Sequence, residues 1–396
     1  MKIVYIPDVG ETYGAATSFK ELVLTMRSKY NIIPIVLTSK KGKMYEEFKK
    51  DNIEVYAIGH KAFFVSKGST ILRKVVKTLL FPYYYIDYKI SNYFAIKKAE
   101  NKIDFSQIDM IHTNVNRNDI GAILARKYCK RHIWHIREFG KEDYDCYSLR
   151  RNYVKFMNEN TDLFIAISNA VSQSWTSKGL DISKIKVIYN GVDTNRFKSN
   201  IKSHSNQKNE NIKIIMSGAI TPSKGQIQAI KALSLIPVEI RKIIKLDFYG
   251  TAAKEYFNYL KKYIKRLDLC ENITFKGYKS NIEEVMPNYD IGLVCSKSEG
   301  FGRVTIEYML SNVCVIASNT GANPELVKDG ENGLIYTLND SEDLANKIVK
   351  LINVKGMMEE FKKKGYDYAL NGFSKEKNAE NIYNEYKKIL MVNKNC

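Results

Sequence analysis

The chain lacks the features that would place it in several large classes. None of its six cysteines, Cys129, Cys146, Cys270, Cys295, Cys314 and Cys396, stands at C-x-x-C spacing from another. A zinc ribbon or disulfide framework is therefore not expected, and a reducing compartment fits. No stretch of 18 apolar residues is present, so no helical span is expected. The N-terminal apolar run stops at Asp8, too short for the core of a signal peptide. No metal site is expected either. RRM, KH and zinc patterns are missing too, which argues against a nucleic-acid partner.

Negative charge is also in short supply. Asp+Glu total 43 against 62 Lys+Arg, a formal net charge of +19. Such a field attracts anionic partners: nucleic acid, an acidic membrane or a phosphorylated substrate. Lys-, Asn- and Ile-rich usage as a trait of genome composition is the plainer alternative. At 396 residues and 44% hydrophobic the chain can bury two or three domain cores.

Short apolar runs alternate with helical patterns. In the first half the runs are Ile3–Ile6, Ile33–Leu37, Val55–Ile58, Met110–His112, Ile133–His135, Phe164–Ile167 and Val187–Tyr189. The alternation restarts at Ile212–Met216 and continues through Leu246–Tyr249, Ile273–Phe275, Ile291–Cys295 and Val313–Ala317, with a short helix expected over Ile282–Met286. This predicts an α/β protein of two Rossmann-like, doubly wound parallel-sheet domains facing a cleft. The expected boundaries are 1–196, a polar linker at 197–211, a second domain at 212–372 and a C-terminal helix within 373–396 that packs back toward the first domain. Ligands of such sheets bind outside the carboxyl ends of the strands, so the loops there carry the interest.

One such loop is Ser296–Leu310, S-K-S-E-G-F-G-R-V-T-I-E-Y-M-L, which follows a strand and opens a helix. Gly300 and Gly302 allow close backbone approach. Free N–H groups at the helix start and the guanidinium of Arg303 suit a phosphate. Glu299 and Glu307 suit sugar hydroxyls, although a Gly-rich turn with surface carboxylates would read the same way. A second strand–loop–helix, Ser217–Gln226, brings Gly218 and Lys224.

Together these segments resemble glycosyltransferase family 4, retaining nucleotide-sugar enzymes of GT-B architecture. Glu299-Gly300-Phe301-Gly302-Arg303-Val304 through Glu307 is similar to the family's E-x7-E motif. Asn190-Gly191-Val192-Asp193, Phe275-Lys276-Gly277-Tyr278, Gly321 through Glu325, and Asn332-Gly333-Leu334 match further elements in order. Gly14 stands at the family's G-G turn, with Ala15 as its second residue. Ala219 occupies a place where relatives commonly carry Arg, and Arg303 is positioned to replace it.

The resemblance implies that Gly14, Gly218, Lys224, Tyr278, Glu299, Gly300, Phe301, Gly302, Arg303, Val304 and Glu307 bind the donor. In that reading Glu307 holds the ribose, Glu299 the transferred sugar, and Lys224 with Arg303 the leaving diphosphate. His135 is implied near the donor sugar, and Arg137 could meet an anionic acceptor. No cofactor is expected beyond the nucleotide-diphosphate sugar as substrate. The acceptor would be a saccharide or a lipid-linked molecule in surface polysaccharide or glycolipid synthesis. Competing readings are a nucleotide-sugar isomerase or epimerase of the same shape, and a basic nucleic-acid-binding protein.

The window 60–102 holds nine basic residues, two acidic residues and nine aromatics. Ile71–Phe81 is apolar on one side and basic on the other. This predicts contact with an anionic membrane surface, hence a cytoplasmic protein peripheral on the inner face of the membrane. The alternative is an insert whose aromatics pack on the first sheet.

Overall fold

The computed structural model describes residues 1–8, 13–68, 71–140, 145–198 and 211–391. The chain divides into two compact units, Met1–Gly191 with Lys375–Cys396, and Val192–Ser374. The change-over thus precedes the expected 197–211 linker, most of which lies outside the described residues. Val192 already belongs to the second unit: its N–H donates to Phe373 O, and it bridges Ser374.

The first unit contains β1 (Lys2–Ile6), β2 (Ile33–Thr38), β3 (Glu54–Ala57), β4 (Phe64–Ser66), β5 (Met110–Asn114), β6 (Arg131–Ile136), β7 (Cys146–Ser148), β8 (Leu163–Ala166) and β9 (Ile185–Val187). Seven of these form one sheet in the order β3-β2-β1-β5-β6-β8-β9, all neighbours parallel. β1, β5 and β6 are buried on both faces because helices cover both. Ile3, Tyr5, Met110 and Ile133 meet Phe19, Leu22 and Met26 of the helix Tyr13–Tyr30, and Ala379, Ile382 and Tyr386 of the helix Lys375–Met391. Val4, Ile6 and Ile111 face Ala95, Ala99, Ile120 and Leu124 on the other side.

The 60–102 insert contributes β4, which pairs antiparallel with β7 from beyond the insert, and two helices, Ile71–Leu79 and Phe81–Glu100. The expected single helix over Ile71–Phe81 breaks at Leu80. Pro82 then sits in the first turn of the next helix, where its missing N–H costs nothing.

The second unit contains β10 (Ile212–Ser217), β11 (Ile244–Tyr249), β12 (Ile273–Gly277), β13 (Ile291–Val294), β14 (Cys314–Ser318) and β15 (Gly333–Tyr336). They form one parallel sheet in the order β12-β11-β10-β13-β14-β15. That is the doubly wound order in which the winding reverses between the first and fourth strands. The helix expected over Ile282–Met286 is instead two 3₁₀ turns, Ile282–Glu284 and Met286–Asn288. Pro287 removes a backbone donor that a continuous helix would need.

Candidate active site

Two loops leave the second sheet at its switch point, one after β10 and one after β13. They are locked together: Lys297 N–H donates to Ser223 O at 2.8 Å, and Gln228 Nε2 to Cys295 O at 3.1 Å. Gly225 has φ +75°, and a Cβ there would lie 2.1 Å from Cys295 O. Only glycine lets the first loop close against the end of β13.

The second loop is anchored from behind. Glu299 O accepts from Ala322 N–H at 2.8 Å, and a Cβ on Gly321 would meet that same Glu299 carbonyl at 2.3 Å. Gly302, at φ +87°, caps the helix Arg303–Leu310. Buried Phe301 packs its ring 5.9 Å from Phe373. Tyr308, one residue after Glu307, is buried, and its hydroxyl accepts from Ser217 N–H at 2.7 Å. That bond ties the helix to the end of β10.

This frame holds two ion pairs. Lys224 Nζ lies 2.7 Å from Glu299 Oε2, the side chains 35% and 15% exposed. Arg303 Nε lies 2.9 Å from Glu307 Oε1, with 15% and 16% exposure. Val304 is half-buried beside them. The structure thus gathers Lys224, Glu299, Arg303 and Glu307 at the carboxyl end of the second sheet. Gly218, at φ +138°, leaves β10 at the same end, and a Cβ on Gly250 would lie 1.8 Å from its carbonyl. Tyr278 is 61% exposed, just beyond β12.

The first unit has a switch point of its own, between β1 and β5. Arg117 is paired with Asp8, and Asn118 Nδ2 donates to Pro7 O at 3.2 Å. Val115 adopts φ +73°, which is rare for a β-branched residue. Asn116 is fully buried, and both its side-chain amide atoms lack a partner. Gly14 lies in the first turn of the helix Tyr13–Tyr30 with nothing within 4 Å of a Cβ, so packing does not explain it.

His135 is not on an open strand end: it lies within β6 and is fully buried. Its ring centroid is 5.4 Å from that of His112, whose Nδ1 meets the Tyr386 hydroxyl at 2.5 Å. Arg137 Nη2 stands 3.5 Å from His135 Nδ1. Arginine has no acceptor, so Nδ1 accepts and the ring proton sits on Nε2, a buried atom without a partner. Burial first, then the Arg137 charge and His112, holds His135 well below its ordinary pKa. His135 is therefore a neutral hydrogen-bond donor. Arg137 itself is 6% exposed, with Nε on Asn114 Oδ1 and Nη1 on Asn190 Oδ1. Sequence reasoning missed Asn114 and Asn190 as its supports, and Tyr386 as the partner of His112. Asn190 stood out only as part of the Asn190-Gly191-Val192-Asp193 element, Asn114 closes β5, and Tyr386 lies on the C-terminal helix.

Residues 197–368 match the model described as Glycosyl transferases group 1, and residues 42–196 the model Glycosyltransferase Family 4. The chain belongs to the group 1 glycosyltransferases. Among similar proteins are an uncharacterized glycosyltransferase of Methanocaldococcus jannaschii, 28% identical over 74% of this chain and 80% of that one. The putative glycosyltransferase EpsD of Bacillus subtilis is 23% identical over 83% of this chain and 90% of its own. The crystal structure of Anabaena HepE in complex with UDP shares the fold, with TM-score 0.77 at 22% identity, covering 98% of this chain and 100% of that one. In this glycosyltransferase, then, the paired loops belong to a GT-B fold.

Proposed function

We propose that this glycosyltransferase takes a sugar from a nucleotide-diphosphate donor and transfers it, with retention and without a metal, to a saccharide or lipid-linked acceptor. The product would serve surface polysaccharide or glycolipid assembly at the cytoplasmic side of a membrane. The observation that carries this reading is the pair of cation–carboxylate contacts, Lys224–Glu299 and Arg303–Glu307, at the switch point of the second sheet. The UDP held by HepE supports the same donor class.

A nucleotide sugar offers one anionic part and two hydroxyl-rich parts. On binding, the diphosphate takes the two cations, and hydroxyls take the two carboxylates. Glu307 accepts from the ribose and Glu299 from the transferred sugar. Each ion pair is exchanged for two charge-assisted hydrogen bonds, so no charge is left unpaired. As the glycosidic bond loosens toward an oxocarbenium-like transition state, negative charge grows on the diphosphate. Lys224, Arg303 and the N–H groups opening the helix Arg303–Leu310 stabilise it. His135, neutral and donating from Nε2, offers a hydrogen bond to a substrate hydroxyl.

The test is UDP and GDP binding by calorimetry. Lys224→Ala and Glu307→Ala should each weaken it by about 1.5–3 kcal/mol. Unchanged affinity in both variants would remove the second unit as the donor domain.

A further inference from the structure

Twelve of the 21 large exposed apolar side chains among the described residues lie between Ile71 and Phe94. On the helix Ile71–Leu79 they are Ile71, Leu72, Val75, Val76 and Leu79, spaced to form one face, with Ile71 83% and Leu79 76% exposed. On the helix Phe81–Glu100 the outward stripe is Tyr83, Ile86, Ile90, Tyr93 and Phe94.

The first of these helices is mounted the wrong way round for a soluble protein. Its polar face points at the domain: Lys74 Nζ lies 2.8 Å from Asp145, Lys77 Nζ donates to Ser66 O at 2.6 Å, and Thr78 Oγ1 meets the Tyr147 hydroxyl at 2.6 Å. Its apolar face is left to solvent. A helix held by its polar side presents its apolar side for use.

We propose that these two helices form a membrane-docking face whose apolar stripe inserts into the headgroup–acyl boundary of an anionic phospholipid bilayer. Charge complementarity selects that occupant. The 60–102 window has nine basic residues against Asp87 and Glu100, and both acids are paired, with Lys61 and Lys127. Lys89, Lys97 and Lys98 remain exposed beside the stripe, and a groove lined by Tyr85, Lys89, Arg150 and Arg151 flanks it. Two copies of this chain would set those cations against each other, which disfavours a self-associating face. Exposed tyrosines suit the depth where a bilayer is half wet.

The inward pairing of Lys74 and Lys77 adds a finer point. Lys74 and Lys77 of the inserting helix are engaged with the domain, so apolar burial drives docking and lipid charge tunes it. The inference deepens the proposed function by resting on its lipid-linked acceptor, but it stands apart from the choice of donor.

Co-flotation with phosphatidylcholine vesicles, with and without phosphatidylglycerol, tests it on the full chain. The triple variant Ile71→Ser/Leu72→Ser/Leu79→Ser should lower partitioning roughly 100-fold or more. Raising salt from low to physiological values should lower it by only about tenfold or less. Tyr93→Ser/Phe94→Ser, on the other helix, gives an independent reading. UDP affinity should be unchanged in every variant, which certifies folding and keeps failure of docking separate from failure of the donor assignment. Partitioning that survives both sets of substitutions would overturn the inference. So would a patch-dependent dimer with no vesicle binding, or loss of binding by salt alone.

Discussion

At the carboxyl end of the second sheet, four charged side chains lie 15–35% exposed in two ion pairs. At the matching end of the first sheet, His112, His135, Asn114, Arg137 and Asn190 are all at 8% exposure or less. Each exposed pair can trade its partner for a ligand at small cost, because solvent and substrate compete for the same groups. The buried set cannot trade. Arg137 is held by two asparagines, and what it determines is a tautomer. In the proposed mechanism the two sheets divide the work: one supplies exchangeable charge, the other a fixed neutral donor.

The largest expected effect concerns the exchangeable charge. Arg303→Ala should lower kcat about 100-fold or more, as loss of one preorganised donor does. Ala219→Arg in that background should restore part of it, because a guanidinium would re-enter from the neighbouring loop. A kcat within a few-fold of the parent would place the second cation elsewhere.

Acid should separate the two units next. His60, His112 and His135 are fully buried in the first unit, His60 pushed down to about 4 and the others well below their ordinary value, by burial first. A lowered folded-state pKa means that the unfolded chain binds the proton more readily. Stability is therefore full above the unfolded value of about 6.5 and is lost as pH falls below it, by up to about 1.4 kcal/mol per pH unit for each such group. Arg137, His132, Tyr5 and Tyr386 surround His112 and His135 and offer no anion to offset this. The described residues of the second unit contain no histidine. Calorimetry from pH 7 to pH 5 should show one transition moving down and the other nearly still. Parallel movement of both would erase the contrast.

The smallest effect is an expected absence of one. If Lys224, Arg303 and a helix start neutralise the leaving group, EDTA should leave turnover within experimental scatter. Activity abolished by EDTA and restored by Mg²⁺ would mean that the exchangeable charge is not all protein.

Much of this was legible in sequence. The strand–helix alternation revealed both sheets, because buried parallel strands read as short apolar runs. The loops after β10 and β13 declared themselves through glycines beside charged residues. The antiparallel pair β4–β7 was not legible: three-residue strands 80 positions apart carry no period. Nor was the orientation of the helix Ile71–Leu79, since an amphipathic pattern says that two faces differ but not which one meets the protein. Arg137 read as a cation that could meet an anionic acceptor, and it is instead buried. Only the fold brings Asn114 and Asn190 to it.

The helix Lys375–Met391 has a bearing on how the molecule is made. It supplies Ala379, Ile382 and Tyr386 to the core of the first unit, and the Tyr386 hydroxyl to His112. During synthesis the whole of Val192–Ser374 emerges before those side chains exist. The second unit is continuous and has its core complete by then. The first unit, although begun earlier, waits with one face of its sheet partly uncovered and its histidine cluster unfinished. The usual order of N-terminal domain first does not hold for its final closure.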